Sequence, residues 1–409
     1  MNFIVNVLKF GGTSVEDVSA IHHCASLIKS KLHQNEKLVV VVSAMGSKTD
    51  ELLKLAFAVS DTPPQRELDM LLSTGERVSC ALLSIALDRI QVKSISLTGS
   101  QSGILTNKVH QHAEIIDVKC DRILSSFNTH DVVIVAGFQG VDPESKEITT
   151  LGRGGSDLTA VALAHKLGAK ICSIYTDVDG VFTMDPRCFT EAKTVPFMSW
   201  LTAYKISCAG AKVLHYRAAA LALKNNVPLE ILNTRNPQGP KTIIAEKESN
   251  SYFITQKNKQ SLIQLTLKGS FSHETFLAEI LQILWKYDGI PSLSQRDTKE
   301  DDVSSFHFVV NSELIPKITD FLESKKELFQ GSLKELQKDF TSISILHADQ
   351  DQEEVFKKIE DCFIKERPLF LSKERGLTTF GVKNNLVSTL IQQIYQKLSS
   401  GKKPHEEKK

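Results

Sequence analysis

The chain has 409 residues, and its 49 basic and 48 acidic side chains leave a formal net charge of +1. This balance gives no reason to expect nucleic acid or an acidic membrane surface as a partner. The length allows two or three domains, and seven cysteines without a C-x-x-C pair favour reduced thiols. We expect no signal peptide and no membrane span, because no apolar run approaches the roughly 20 residues that a span needs. A cytoplasmic protein is therefore predicted.

Residues 1–245 alternate short β-rich runs with longer helical patterns. Candidate strands lie at 3–10, 37–43, 92–97, 131–137, 170–176 and 227–233, and helical patterns at 15–32, 66–90, 113–127, 156–167 and 208–225. Several strands are apolar throughout, which is typical of strands covered on both faces. This alternation predicts a layered α/β domain with a mainly parallel sheet, whose ligand lies beyond the carboxyl ends of the strands.

The remainder of the chain contains a repeat. Residues 246–260 lose the pattern and are interpreted as a linker, and β-α-β-β-α units follow at 261–335 and 336–400, with a frayed tail at 401–409. The predicted elements are strands at 261–267, 290–296 and 303–310 with helices at 273–286 and 311–329, then strands at 341–347, 368–373 and 378–383 with helices at 351–365 and 384–398. Ferredoxin-like α+β modules of this kind bind small ligands or pair edge to edge.

The first glycine pair follows a strand in "VLKFGGTSVED" (7–17), where Lys9 precedes Gly11 and Gly12. A common P-loop places its lysine after the glycines. Gly11 and Gly12 allow backbone N–H groups to approach a ligand, and the helix that follows adds the positive end of its dipole. Lys9 would project from the strand end as a fixed charge. A simple Gly-Gly turn is the alternative interpretation.

A second glycine loop occurs in "TLGRGGSD" (150–157). We expect Ser156 to cap a helix, with Arg153 and Gly155 in the loop before it. An arginine here can hold a carboxylate with two parallel hydrogen bonds. Asp157 is either a favourable charge at the helix N-terminus or a group that positions lysines.

Other candidate residues are spread along the first domain. Glu76 lies in an apolar helical stretch, where an unpaired carboxylate is costly and should face a cation or a cavity. Ser43 and Thr49 could contact substrate or serve as turn and cap residues. The candidates for nucleotide contact are Thr176 and Asp177 for a ribose or base edge, Phe182 for the base, Arg187 for phosphate, and Lys212, on the last helix, for phosphate.

Together these residues supply two glycine loops, two lysines, one arginine and two carboxylates. This inventory suits phosphoryl transfer from a nucleotide to a small zwitterionic acid, which requires positioning and positive charge more than covalent chemistry. "HQHAE" (110–114) comes nearest to a metal motif, and nothing in its neighbourhood completes it.

Four motifs, in this order and spacing, closely resemble the aspartate kinase family. They are "KFGGTSV" (9–15), "TLGRGGSD" (150–157), "YTDVDGVFTMDPR" (175–187) and "GAKVLH" (210–215). The resemblance implies the amino acid kinase fold, which is carbamate kinase-like and three-layered, followed by two ferredoxin-like ACT modules. It implies transfer of the ATP γ-phosphoryl group to the β-carboxylate of L-aspartate, the entry to lysine, diaminopimelate, methionine and threonine synthesis. Mg²⁺ would be bound mainly by the phosphates.

The resemblance also implies a role for each candidate residue. Lys9 and Lys212 would hold the ATP phosphates, and Asp157 would orient these lysines. Arg153 would bind the α-carboxylate of aspartate and Glu76 its α-ammonium group. The remaining implied contacts are Ser43, Thr49, Gly155 and Ser156 for aspartate, and Gly11, Gly12, Thr176, Asp177, Phe182 and Arg187 for ATP.

The chain departs from the family pattern in several places. Tyr216 and Arg217 follow "GAKVLH" where proline is common, and Met184 replaces a small hydroxyl residue in the nucleotide loop. In the first module Leu293 stands about where an aspartate usually contacts the amino-acid effector. We therefore predict weakened or altered lysine feedback.

Several alternatives remain open on sequence alone. The protein could be a related acyl-phosphate kinase acting on glutamate, N-acetylglutamate or carbamate, or an inactive amino-acid-binding regulator. Arg153 and Glu76 favour a free α-amino acid, and intact Lys9, Asp157 and Lys212 favour activity. We expect a monofunctional enzyme without a dehydrogenase domain, and a homodimer that pairs through the ACT-like modules.

Overall fold

The structure, a computed structural model, describes residues 3–249, 251–268, 278–281, 284, 294–300, 303–325, 330–347, 352–363, 367–374 and 376–399. The chain divides into two compact units. Unit 1 comprises Met1–Val181, Thr194–Tyr204 and Lys212–Ser249, and unit 2 comprises Phe182–Lys193, Lys205–Ala211 and Asn250–Lys409.

The elements before residue 250 alternate between strand and helix. The strands are β1 (Ile4–Phe10), β2 (Glu36–Val42), β3 (Ser94–Leu97), β4 (Ile104–Thr106), β5 (Ile115–Val118), β6 (Val132–Ala136), β7 (Gln139–Val141), β8 (Ile148–Thr150), β9 (Cys172–Thr176), β10 (Phe197–Ser199), β11 (Leu229–Asn233) and β12 (Lys241–Ala245). The helices are α1 (Val18–Lys31), α2 (Lys48–Val59), α3 (Gln65–Leu72), α4 (Thr74–Arg89), α5 (Asp121–Ser126), α6 (Gly155–Leu167), α7 (Trp200–Cys208) and α8 (Tyr216–Asn225).

The main sheet has the order β10-β12-β11-β9-β1-β2-β6-β3. All six strands predicted in this region are present, and they pair with one another in parallel. β6 is buried along its whole length, as expected of a strand covered on both faces. The mainly parallel α/β architecture is thus confirmed, and the carboxyl ends of these strands meet at one edge.

Strand alternation divides the side chains of β1 between two layers. Leu8 and Phe10 belong to a core that also contains Ile21 of α1 and Leu83 of α4. Lys9 lies between them in sequence and therefore points to the opposite face, where α6 packs against the sheet. The position of Lys9 in the strand thus determines which layer it can reach.

Two predicted helices are partly wrong. Residues 113–127 contain β5 and only a short α5, because Ile115, Ile116 and Val118 favour a strand that pairs in a small sheet of order β5-β4-β7-β8. The helix predicted over 208–225 begins at Tyr216, since Gly210 has φ +104° and interrupts any continuation from α7.

The helical run Gln65–Arg89 consists of α3 and α4 with a boundary at Ser73. Contrary to our expectation, it is long and apolar enough by composition to pass as a candidate membrane span, although half of its apolar window is buried within the protein. Such burial is typical of core helices, so this feature is weak evidence for a membrane segment.

Unit 2 contains a six-stranded antiparallel sheet of order β14-β15-β13-β16-β18-β17. Its strands are β13 (Tyr252–Lys268), β14 (Ser294–Glu300), β15 (Val303–Asn311), β16 (Gln330–His347), β17 (Leu371–Glu374) and β18 (Leu377–Val382). Its helices are α9 (Ile315–Ser324), α10 (Gln352–Glu360) and α11 (Val387–Ser399), and residues 278–281 and 284 are also helical. The order of predicted elements in the doubled α+β region is present in the described residues.

The predicted linker is wrong in its second half, since β13 begins at Tyr252. β13 pairs antiparallel with β16 from Tyr252↔His347 to Lys268↔Gln330, with irregular register near Lys257. Tyr252 and Ile254 pack in one core with Ile343 of β16, whereas Ile263 and Leu265 pack in another with Phe306 of β15. β13 and β16 therefore contribute side chains to both cores. The predicted boundary at 335/336 falls inside β16.

Candidate active site

Three loops meet at the carboxyl edge of the main sheet, and backbone hydrogen bonds join them. Ser43 N–H donates to the Phe10 carbonyl at 3.1 Å, and Gly11 N–H donates to the Tyr175 carbonyl at 3.4 Å. Thr176 ends β9 and Asp177 follows it, and both line a cleft of about 550 Å³. The other lining residues are Thr13, Ser14, Glu16, Asp17, Ser19, Ala20, His23, Asn233, Thr234 and Arg235. The edge predicted to hold the ligand is therefore both open and polar.

Lys9 and Asp157 form an ion pair at this edge. Lys9 Nζ lies 2.6 Å from Asp157 Oδ1, and the two side chains are only 11% and 13% exposed. Asp157 occupies the first turn of α6, on the face of the sheet to which strand alternation directs Lys9. A Cβ at Gly11 would lie 3.4 Å from the ammonium group, so the glycine leaves room beside Lys9. Asp157 thus holds the charge of Lys9 in one place.

The second glycine loop differs from the prediction. Ser156 does not cap α6, because the helix begins at Gly155 and its N-cap is Gly154 at φ +69°. Ser156 is buried, and a Cβ at Gly137 would lie 2.7 Å from its Oγ. Arg153 lies exposed at the tip of the loop. A left-handed glycine replaces the serine cap because the chain must turn sharply between Leu151 and the helix.

His215 accounts for the absence of a side chain at Gly154. A Cβ at Gly154 would lie 2.2 Å from Cβ and Cγ of His215. Burial lowers the pKa of His215 to about 4, so its ring is neutral near pH 7. The start of α8 therefore packs directly against the loop that carries Arg153.

Glu76 is buried in the first turn of α4 with only one of its oxygens hydrogen-bonded. Ala44 N–H donates to Oε1 at 3.2 Å, whereas Oε2 has no hydrogen-bond partner among the described residues. Burial raises the pKa of Glu76 to about 7. A Cβ at Gly12 would lie 3.1 Å from the Ala44 carbonyl, so the first glycine loop is adjacent. A half-satisfied carboxylate here is suited to binding a cation.

The remaining predicted residues of unit 1 are Ser43, Thr49, Lys212 and Thr176. Ser43 and Thr49 are half-buried, and Thr49 is in the first turn of α2. Lys212 is exposed in the loop between α7 and α8, not on a helix as predicted, because α8 starts four residues later. Thr176 Oγ1 donates to Asp177 Oδ1 at 3.1 Å.

Phe182 and Arg187 belong to unit 2, whereas the other predicted contact residues belong to unit 1. The Arg187 guanidinium donates two hydrogen bonds to the Asp185 carboxylate, from Nε to Oδ1 at 3.1 Å and from Nη2 to Oδ2 at 3.2 Å. Met184 is buried in the core of unit 2, where it packs with Phe189. An apolar core position explains why a methionine stands in place of a small hydroxyl residue.

Sequence reasoning missed Asp69, a fully buried carboxylate of α3. It accepts hydrogen bonds from His110 Nδ1 at 2.6 Å, Gln111 Nε2 at 2.6 Å and Thr150 Oγ1 at 2.5 Å. "HQHAE" thus supports the strand that leads into the second glycine loop. Within the described ranges, no group of three His, Cys, Asp or Glu side chains could hold a metal ion. The only sequence signal was an acidic residue in an apolar helical stretch.

The family model described as "Amino acid kinase family" matches residues 5–233, more than half of the chain. An aspartokinase from Geobacillus stearothermophilus is 40% identical over 322 residues, 78% of each chain. The chain belongs to the aspartokinase family.

Two other comparisons set the extent of the likeness. An aspartokinase from Mycobacterium bovis is 45% identical to this aspartokinase-family chain over 238 residues. The alignment covers 58% of this chain and 56%, about half, of the length of that relative. A crystal structure of E. coli aspartokinase III in complex with aspartate and ADP is 23% identical with a TM-score of 0.78, and the match covers 97% of this chain and 100% of that one. At 23% identity, the similarity to this crystal structure is evidence for the fold alone, and it confirms the predicted fold class.

Proposed function

We propose that this protein is an aspartate kinase that transfers the ATP γ-phosphoryl group to the β-carboxylate of L-aspartate. The product is 4-phospho-L-aspartate, the first intermediate of lysine, diaminopimelate, methionine and threonine synthesis. The observation that carries the proposal is the buried Lys9–Asp157 ion pair between two glycine loops, at the carboxyl edge of a parallel sheet. Family membership through 40% identity to a curated aspartokinase supports it.

The proposed mechanism relies on fixed charge. A transferring phosphoryl group spreads negative charge over its oxygens, and preorganised cations stabilise that charge without reorganisation. Lys9 is such a cation because Asp157 fixes its ammonium group at 2.6 Å. Lys212, in an exposed loop, supplies the second charge. Gly11 and Gly12 let backbone N–H groups approach the phosphates. Thr176 and Asp177, which line the cleft, supply further ATP contacts.

Mg²⁺ would enter bound to the phosphates of ATP. Hydrated Mg²⁺ takes few protein ligands when phosphates provide the rest. The proposed site fits this mode of binding, because Lys9 and the two glycine loops would hold the phosphates that carry the ion.

The amino-acid substrate is recognised through its two α-substituents. Arg153 binds the α-carboxylate with its planar guanidinium, and ionised Glu76 binds the α-ammonium group. The exposed Arg153 is accessible to an incoming ligand, and the unsatisfied Oε2 of Glu76 gains a partner on binding. Ser43, Thr49, Gly155 and Ser156 line the rest of the proposed pocket.

A hydroxylamine trap for acyl phosphates separates this function from its alternatives. With ATP and Mg²⁺, we expect hydroxamate from L-aspartate and little from glutamate, N-acetylglutamate or carbamate. Preference for one of the other acids would identify a different acyl-phosphate kinase. No hydroxamate from any acid would favour an inactive amino-acid-binding regulator.

We also propose a cytoplasmic homodimer, in which unit 1 carries the kinase activity, the strands and helices after residue 250 form two ACT-like modules, and an amino-acid effector binds at these modules. β14 and β17 lie at the two edges of the unit 2 sheet, and edge strands favour pairing between chains. Leu293, on which the prediction of altered lysine feedback rests, lies outside the described residues. Light scattering would give the oligomeric state, and assays with lysine, threonine and methionine added singly would identify the effector.

A further inference from the structure

The loop that presents Arg153 has little rigidity of its own. Residues 152, 154 and 155 are glycines, and Gly152 and Gly154 both have positive φ, at +74° and +69°. Glycines restrict the backbone least, so a loop rich in them depends strongly on the contacts made by the residues that flank it. An arginine that binds a carboxylate with two bonds needs a fixed direction of approach.

Arg217, in the first turn of α8, provides such contacts. Its Nη1 donates to the Leu151 carbonyl and its Nη2 to the Ala113 carbonyl at 2.9 Å. Ala113 N–H in turn donates to the Thr150 carbonyl at 2.9 Å. A single guanidinium therefore joins the chain just before the glycine loop to the "HQHAE" segment.

The backbone of Arg217 hydrogen-bonds His215, and His215 packs against the other end of the same loop. Arg217 N–H donates to His215 Nδ1 at 3.4 Å, and the His215 side chain fills the space beside Gly154. Arg217 thus acts at Leu151 through its side chain and at Gly154 through His215. Burial lowers the pKa of the Arg217 guanidinium below its ordinary value, and the neighbouring Tyr216 and Glu114 oppose this shift. Two N–H groups of the guanidinium thus donate to backbone carbonyls, which fixes Arg217 within the fold.

We propose that Arg217 is a positioning residue for amino-acid binding, which holds the Leu151–Gly155 backbone so that Arg153 meets the substrate carboxylate. This inference rests on the proposed function. A planar fork with fixed donors can bond two carbonyls at once, whereas a lysine ammonium at the end of a flexible stem cannot reproduce that geometry.

A double-mutant cycle between Arg153 and Arg217 tests the proposal. We expect Arg217→Met to raise the KM for aspartate about 10- to 100-fold, as misplacement of a binding group does, and to change the KM for ATP less than about twofold. When Arg153→Met is already present, adding Arg217→Met should raise the KM for aspartate by less than about twofold. The reason is that both residues act through the contact between Arg153 and the substrate carboxylate. Arg122→Met, at an exposed arginine of α5, is the matched control and should change neither constant.

Two further variants make the test independent of a folding defect. Arg217→Lys should give a KM for aspartate between those of wild type and Arg217→Met, and added guanidinium ion should lower the KM of Arg217→Ala. Three results would overturn the inference. They are increases in the KM for aspartate that multiply in the double mutant, an equal rise in the KM for ATP, and a wild-type KM for aspartate in Arg217→Lys. A wild-type protein that does not phosphorylate aspartate would instead refute the proposed function.

Discussion

Lys9 and Asp157 are the pair in which charge and geometry can be tested separately. Lys9→Met should lower kcat about 10²- to 10³-fold, the usual cost of losing one stabilising charge in a transition state. It should also destabilise the protein, because Asp157 would be left buried without its partner. The combined variant Lys9→Met with Asp157→Leu should recover thermal stability and remain inactive. Recovery of activity with stability would show that Lys9 has only a structural role.

Glu76 gives a prediction for the pH dependence of stability. Its pKa is about 7 in the folded protein and ordinarily 4.5, so between these values the folded protein holds a proton that the unfolded chain has released. The stability that this group contributes is present below about pH 4.5 and is lost as pH rises to about 7. Between pH 4.5 and pH 7 the free energy of unfolding of wild type should therefore fall, relative to that of Glu76→Gln, by up to about 3 kcal/mol.

Urea unfolding at pH 5 and pH 8, without substrate, measures this difference. Glu144→Gln, at an exposed glutamate, serves as the control and should show little change between the two pH values. A constant difference between Glu76→Gln and wild type would contradict the burial argument.

Residue types predicted where two of the candidate residues lie. The cost of burying a carboxylate singled out Glu76, and a lysine at a strand end indicated the position of Lys9. Ser156 was misinterpreted as a cap because sequence does not show that Gly154 turns left-handed against His215. Asp69 and Arg217 were missed because their partners are distant in sequence and include backbone carbonyls.

At the scale of elements, the junction between β8 and α6 can be tested with two glycines. Gly154 and Gly168 flank α6 at φ +69° and +60°, but a Cβ at Gly168 meets nothing within 4 Å. Gly168→Ala should therefore cost only the strain of the left-handed backbone, about 1–2 kcal/mol. Gly154→Ala should cost more and raise the KM for aspartate, since it also collides with His215.

Thermal melting and steady-state kinetics of both variants check this prediction. Equal destabilisation by the two substitutions, with an unchanged KM for aspartate in Gly154→Ala, would show that the packing of His215 on the loop is unimportant.

Strands with a strong apolar pattern were predictable from the sequence, whereas the full length of β13 was not. The six parallel strands follow from apolar runs that burial on both faces requires. The segment 252–260 carries the polar run "QKNKQ" and an irregular register, so its strand nature depends on pairing with β16. Only a partner distant in sequence supplies those hydrogen bonds, which no local pattern reveals.

At the scale of the whole molecule, the kinase region is not a continuous segment. Residues 182–193 belong to unit 2, where Met184 and Phe189 share a core with Tyr252 and Ile343. A fragment of residues 1–249 should therefore expose these two side chains, bind hydrophobic dyes and aggregate more than the full chain. The same fragment with Met184→Ser and Phe189→Ser should aggregate less, as measured by light scattering. Identical aggregation of the two fragments would contradict this assignment.

The central claim is phosphoryl transfer from ATP to the β-carboxylate of aspartate, with Lys9 as a fixed cation. Its most direct test is to incubate the protein with ATP, Mg²⁺ and L-aspartate, reduce any acyl phosphate with borohydride, and identify the amino alcohol formed. We expect homoserine, the product of reducing a β-acyl phosphate, from wild type and almost none from Lys9→Met. Absence of homoserine from wild type, or the isomeric product of an α-acyl phosphate, would contradict it.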